Sequence, residues 1–142
     1  MASGPQEILQ ESLLRLETIA DTYLSVNTPV QNALSVWLEN ASTLQGQIIS
    51  RVKENEQWLN RHLSGHTQLL SPQGGWYATL RIPAVKTEEE WVLEFLKEDH
   101  VLVYPGYFFD FDQEAFIILS LLPPASIFQE AAGRILQRLA KI

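Results

Sequence analysis

Hydrophobic positions recur every three or four residues through the first half of the chain and alternate in parts of the second, so long helices precede a mixed region. Ile8, Leu9, Leu13, Leu16 and Ile19 mark one face of a helix over 5–20, and Ser3-Gly4-Pro5 supplies its start because proline suits the first helical turn. The period breaks across 21–27, which reads as an extended or irregular stretch. Thr28 is expected to cap a second helix with Pro29 in its first turn. Val30, Leu34, Trp37, Ala41, Leu44, Ile48, Val52 and Leu59 then keep helical spacing out to about Leu63. Gly46 costs this helix about 1 kcal/mol relative to alanine without breaking it, and Ser64-Gly65 ends it. A helix this long is more than a small domain needs to cover its own sheet, and it suits a connection between two domains.

Beyond it the period changes. Residues 76–82 alternate and are rich in β-formers, so they read as a strand ended by Pro83. Thr87 followed by Glu88, Glu89 and Glu90 marks a helix start with acids in the first turn, where the helix dipole favours them. Trp91, Val92, Phe95 and Leu96 form its buried stripe. Residues 101–104 make a short strand closed by Pro105-Gly106, and 116–122 make another. Pro123-Pro124 separates the latter from a last helix with Ile127, Phe128, Ala131, Ile135 and Leu139 on one face. The order predicts an α/β fold of the α+β two-layer kind, in which a long helix precedes a small antiparallel or mixed sheet of three to four strands covered by helices.

Composition narrows the function classes. Hydrophobic residues are 46% of the 142 and charged residues 19%, which is globular and argues against disorder. Ten basic against 17 acidic residues give −7, and the largest basic grouping is Arg134, Arg138 and Lys141, so no nucleic-acid partner is expected. The absence of cysteine removes disulfides, thiolate nucleophiles and cysteine-based zinc sites, which fits a cytoplasmic protein. No run approaches the roughly 20 apolar residues of a membrane span. The start of the chain lacks the order of a secretory signal, so no membrane partner is expected either.

Residue spacing alone assembles no active site. His62 and His66 lie four apart, but the Ser64-Gly65 stop falls between them and two ligands are short of a metal site, so they read as helix-end histidines. Asp110, Asp112 and Glu114 lack the glycine and closing glutamate of a calcium loop and read as a hairpin connection. Glu88, Glu89 and Glu90 read as a solvated helix start. Gly74-Gly75 lacks the spacing of a phosphate loop, and the strand after it offers no helix N-terminus to an anion. Catalytic and metal residues are expected to be absent from the chain.

Four stretches taken together say more. Residues 20–33, Ala-Asp-Thr-Tyr-Leu-Ser-Val-Asn-Thr-Pro-Val-Gln-Asn-Ala, resemble the segment that precedes the long interdomain helix of class I and II aminotransferases, pyridoxal-phosphate enzymes of the aspartate aminotransferase fold type I. Pro72-Gln73-Gly74-Gly75-Trp76-Tyr77 is similar to that family's entry into the first strand of its small domain. Residues 101–109 are similar to its Val-x-Val-x-Pro-Gly-x-x-Phe turn, and Phe116 to Ser120 with the helix over 125–140 resemble its terminal strand and helix.

The resemblance implies a C-terminal region in three parts: an N-terminal helix and extended segment left from the large-domain side over 1–27, the interdomain helix over 28–65, and the small domain over 66–142. It implies amino-group transfer between an amino donor and a keto acid in an intact homodimeric enzyme carrying pyridoxal phosphate. The Schiff-base lysine, the pyridinium-binding aspartate and most phosphate ligands of the family belong to a large domain that would precede this chain. The four lysines here, Lys53, Lys86, Lys97 and Lys141, match no such motif. The fragment is therefore expected to bind no cofactor and to be inactive alone. A stand-alone interaction module, or a fragment of a β-lyase or decarboxylase on the same fold, is the alternative.

By resemblance, Trp76 and Tyr77 lie near the mouth of the substrate cleft, and Tyr23, Ser25 and Asn27 approach the active site of the partner subunit. One position departs from the family. Its terminal strand carries an arginine that forks the substrate α-carboxylate, as a planar guanidinium does best. Ile118 stands in that place, and Arg81 on the first strand is the residue that would substitute from across the sheet.

Overall fold

The computed structural model describes residues 4–23, 26–63, 65–113 and 115–142. The chain separates into two compact units, residues 1–43 and 44–142.

The first unit holds helix α1 (Gln6–Thr22) and the beginning of α2 (Thr28–His62). Helix α1 runs two residues past its expected end, because Thr18 and Thr22 return their hydroxyls to the carbonyls four residues back and stay compatible with the helix. Residues 26–27, by contrast, are irregular as expected. The expected cap of α2 shifts by one residue. Thr28 is already helical, and Asn27 accepts from the backbone N–H of Val30 at 3.0 Å through its Oδ1. Asparagine is as strong an N-cap as threonine or stronger, so the side chain one residue earlier takes the role. No residue of α1 is buried, and Leu13, Leu14, Leu16, Leu34, Trp37 and Leu38 are all exposed.

The second unit begins with the remainder of α2, through which Gly46 passes without a break. Then come β1 (Gln68–Leu69), β2 (Tyr77–Arg81), α3 (Glu88–Asp99), β3 (Tyr104–Pro105), a 3₁₀ turn (Gly106–Phe109), β4 (Phe116–Ser120) and α4 (Ala125–Leu139). The sheet is antiparallel throughout, in the order β1-β2-β4-β3, with Thr79 opposite Ile118 and Tyr104 opposite Ile118 on its other side.

Strand β1 has no counterpart in the expected element order. Two residues carry too little alternation to be seen, yet Leu70 extends the pairing by donating to the Thr79 carbonyl at 2.9 Å. Residues 101–103 are not a strand, although Val101 and Val103 are buried with the alternation of one. Past Ser120 the Leu121 N–H still donates to the Trp76 carbonyl at 2.8 Å, while the Leu121 carbonyl accepts from the Asn55 side chain.

One face of the sheet carries the core. Ala78, Leu80 and Ile82 from the β2 side and Ile117, Leu119 and Leu121 from the β4 side meet Leu59 of α2, Trp91 and Phe95 of α3, and Phe128, Ala132, Ile135 and Leu139 of α4. The Trp91 and Phe95 rings stack at 5.4 Å, and the indole N–H donates to the Pro83 carbonyl at 3.2 Å. Two expected core positions lie outside it: Leu96 and Ile127 are exposed, and Ala132, not foreseen, is buried in the core. Both sit at the edge of their helical stripe, where one step of 100° turns a side chain to solvent.

Helix α3 starts on a complete capping box. The Thr87 hydroxyl accepts from Glu90 N–H, and the Glu90 carboxylate accepts from Thr87 N–H at 2.9 Å. The Thr87 N–H and, second to it, the Thr87 hydroxyl donate to the Glu90 carboxylate and hold that carboxyl below its ordinary pKa. The reading of Glu88 as a solvated acid is corrected: it is 2% exposed. A buried carboxyl group needs partners, and two backbone N–H groups supply them: Tyr107 N–H at 3.0 Å and Phe116 N–H at 2.6 Å.

Candidate functional site

The face of the sheet opposite the core is aromatic. Alternation along β2 places Tyr77, Thr79 and Arg81 there, and the register places Ser120, Ile118 and Phe116 of β4 opposite them. Tyr104 of β3 joins from the other side. The 3₁₀ turn then folds Phe109 back, with its ring 5.4 Å from that of Tyr77 and 6.3 Å from that of Tyr104. It bridges the two strands that flank β4.

The rings continue in both directions. Trp76 lies 6.2 Å from Tyr77, Phe108 lies 6.4 Å from Tyr104, and Tyr107 lies 4.9 Å from Phe108. Six aromatic side chains, each more than one third exposed, thus make one connected row.

Ile118 sits beneath this row. Ile117 faces the core, Ile118 faces the aromatic side, and Ile118 is nevertheless 1% exposed. Arg81 lies on the same face, opposite Phe116, with its side chain exposed. Tyr77 also borders a groove of about 320 Å³ whose other walls include Ile48, Val52, Lys53, Pro72 and Gly74. Gly75, at φ +77°, makes the turn into β2 in a left-handed conformation that favours glycine.

The remaining residues singled out from the sequence lie elsewhere. Tyr23 is exposed at the end of α1, and the Asn27 side chain is engaged as the α2 cap. Ser25 lies outside the described residues, as do Ser64 and Glu114. His62 stacks on Trp58 at 4.1 Å, with its Nδ1 2.7 Å from the Trp58 carbonyl, while His66 is exposed. Among the described residues no three histidine or acidic side chains gather as a metal site, and no helix is long and apolar enough to cross a membrane.

The aromatic row was visible in the sequence only as scattered residues. Its signal is the pair of aromatic clusters, Trp76-Tyr77 and Tyr107-Phe108-Phe109, and only strand order brings them together.

Of the lysines, Lys86 is ion-paired to Glu94 and lies 4.7 Å over the Trp91 ring, while Lys53 lines the groove beside Tyr77. The N-terminus of α3 carries three acids and its own capping box and that of α2 carries Asn27, whereas those of α1 and α4 have no side-chain cap.

No family model and no curated protein matches the chain. Solved structures do. An aminotransferase from Escherichia coli superposes on 97% of this chain at 20% identity with a TM-score of 0.74. The aspartate aminotransferase from Rhizobium meliloti superposes on 98% at 20% identity with a TM-score of 0.71. A probable N-succinyldiaminopimelate aminotransferase from Thermus thermophilus superposes on 62% at 28% identity with a TM-score of 0.55. The chain spans 36%, 37% and 24% of those three chains respectively. Its fold is therefore that of one portion of an aminotransferase.

Proposed function

We propose that this chain is the C-terminal region of a pyridoxal-phosphate-dependent aminotransferase, comprising the interdomain helix and the small domain. In the intact enzyme it takes part in amino-group transfer between an amino acid and a keto acid. The observation that carries the reading is the superposition of nearly the whole chain on about a third of two aminotransferases. The large domain supplies the cofactor's lysine and phosphate ligands, and with them the electron-sink chemistry. This chain supplies one wall of the substrate cleft, through Trp76, Tyr77 and the face over Ile118.

The large domain and a second subunit cover the apolar residues that α1 and α2 leave exposed, with Tyr23 near the partner's site. The chain alone holds no cofactor and does not transaminate. Its acidic, cysteine-free composition supports a cytoplasmic setting.

Two measurements test this. The chain is incubated with pyridoxal phosphate, desalted, and examined for a visible chromophore reducible by borohydride; none is expected. Stoichiometric attachment at one specific lysine would contradict the incompleteness of the chain. The coding region preceding this chain, expressed in frame with it, is expected to yield a protein that retains the cofactor and transfers amino groups. A preceding region without such a domain would overturn the assignment.

A further inference from the structure

Glu88 is the one acid of the Glu88-Glu89-Glu90 run that is buried, and it forms no ion pair among the described residues. Its two oxygens serve two different segments. Oε1 accepts from Phe116 N–H at the start of β4, and Oε2 accepts from Tyr107 N–H in the 3₁₀ turn. As the first residue of α3, the group also sits at the positive end of that helix.

Gly106 completes the arrangement. A Cβ at this position would lie 2.8 Å from Glu88 Oε1 and 2.8 Å from the Phe116 Cβ, closer than real Cβ contacts allow. Glycine is required here by close approach, not by a left-handed φ. The carboxylate therefore joins three elements, and one of them carries Tyr107, Phe108 and Phe109.

We infer that Glu88 is a positioning residue for the aromatic row: by holding the Tyr107 backbone against the start of β4, it sets Phe109 between Tyr77 and Tyr104 and closes the face over Ile118. The side chain is specific. Glutamine has one acceptor oxygen, so one of the two N–H groups would face an amide that also donates. Aspartate keeps both oxygens but is one methylene shorter.

The test uses the 142-residue chain and its Glu88→Gln variant, observed by amide hydrogen exchange and methyl NMR. In Glu88→Gln the amide of Tyr107, of Phe116, or of both is expected to exchange about 10–100-fold faster, the amount a lost hydrogen bond to a charged group represents. The Leu80 and Leu119 amides are expected to stay as they are. The Ile118 methyl resonances, under the ring currents of the row, are expected to move while those of Ile117 and Ile135 in the core do not. A merely stabilising role would alter exchange across the whole sheet and leave native methyl shifts in place, and that result would overturn the proposal.

The wild-type chain provides a measurement that does not depend on the variant folding. The Tyr107 and Phe116 amides must both be protected and must open as one unit as denaturant is raised. Free exchange of either amide, or opening at clearly different denaturant concentrations, would overturn the proposal as well.

Discussion

The side-chain amide of Asn55, on α2, donates to the carbonyl of Leu121, just past the end of β4, at 2.9 Å. The same nitrogen donates to the Pro123 carbonyl at 3.0 Å. Asn55 is fully buried and occupies the helical stripe between Val52 and Leu59. Its bonds fasten the helix to the point where the sheet gives way to Pro123-Pro124. Asn55→Ala strands two carbonyls and is expected to cost on the order of 2–3 kcal/mol in denaturant unfolding. A loss under about 0.5 kcal/mol would mean that the bonds contribute little beyond packing.

Gly106→Ala is expected to destabilise the second unit by about 1–3 kcal/mol, the usual cost of forcing atoms into a filled space. The added methyl would press on the Glu88 carboxylate and on Phe116. Gly46→Ala is the control, because nothing lies within 4 Å of that position and its helix should gain up to about 1 kcal/mol. Thermal or urea unfolding of both variants checks the contrast in sign.

Acid should weaken the contact between α3 and α4. The Lys86 ammonium hydrogen-bonded to Glu94 holds its carboxyl below the ordinary 4.5, burial opposes this, and Arg138 adds to the lowering. Arg138 also pairs with Asp99, and its own pKa is raised chiefly by that bond. A depressed carboxyl stabilises the fold above its unfolded pKa and loses that contribution as pH falls through the folded value. Stability is therefore expected to decline below pH 4.5, and Glu94→Gln should flatten that limb of the profile. An identical acid slope in the variant would place the pH dependence elsewhere.

Ile118→Arg, made in the intact enzyme, tests the role proposed for that position. Restoring a guanidinium should improve efficiency with ordinary α-amino acids about 10–100-fold, the equivalent of one charge-assisted fork. Unchanged or poorer efficiency with every amino donor would argue that this position does not face the substrate. In that outcome Arg81→Ala, on the same sheet face, becomes the informative variant.

The sequence by itself determined the elements whose signal is periodic and local. The 35-residue helix, the first long strand, the capping box at Thr87 and the helix after Pro124 are all legible because each repeats over several turns or is marked by a residue with restricted geometry. Tertiary structure decided what depends on a partner distant in sequence. The two-residue strand at Gln68 pairs with the edge that β2 offers it, whereas 101–103 alternates in burial without forming a strand. Glu88 looks like its solvated neighbours Glu89 and Glu90 until the backbones of residues 107 and 116 arrive to satisfy it. The aromatic row likewise needs the strand order β2-β4-β3 to bring residues 76–77 beside residues 104–109. Burial of a polar group and contact across a sheet are set by non-local pairing, and a linear pattern of apolar spacing does not contain that information.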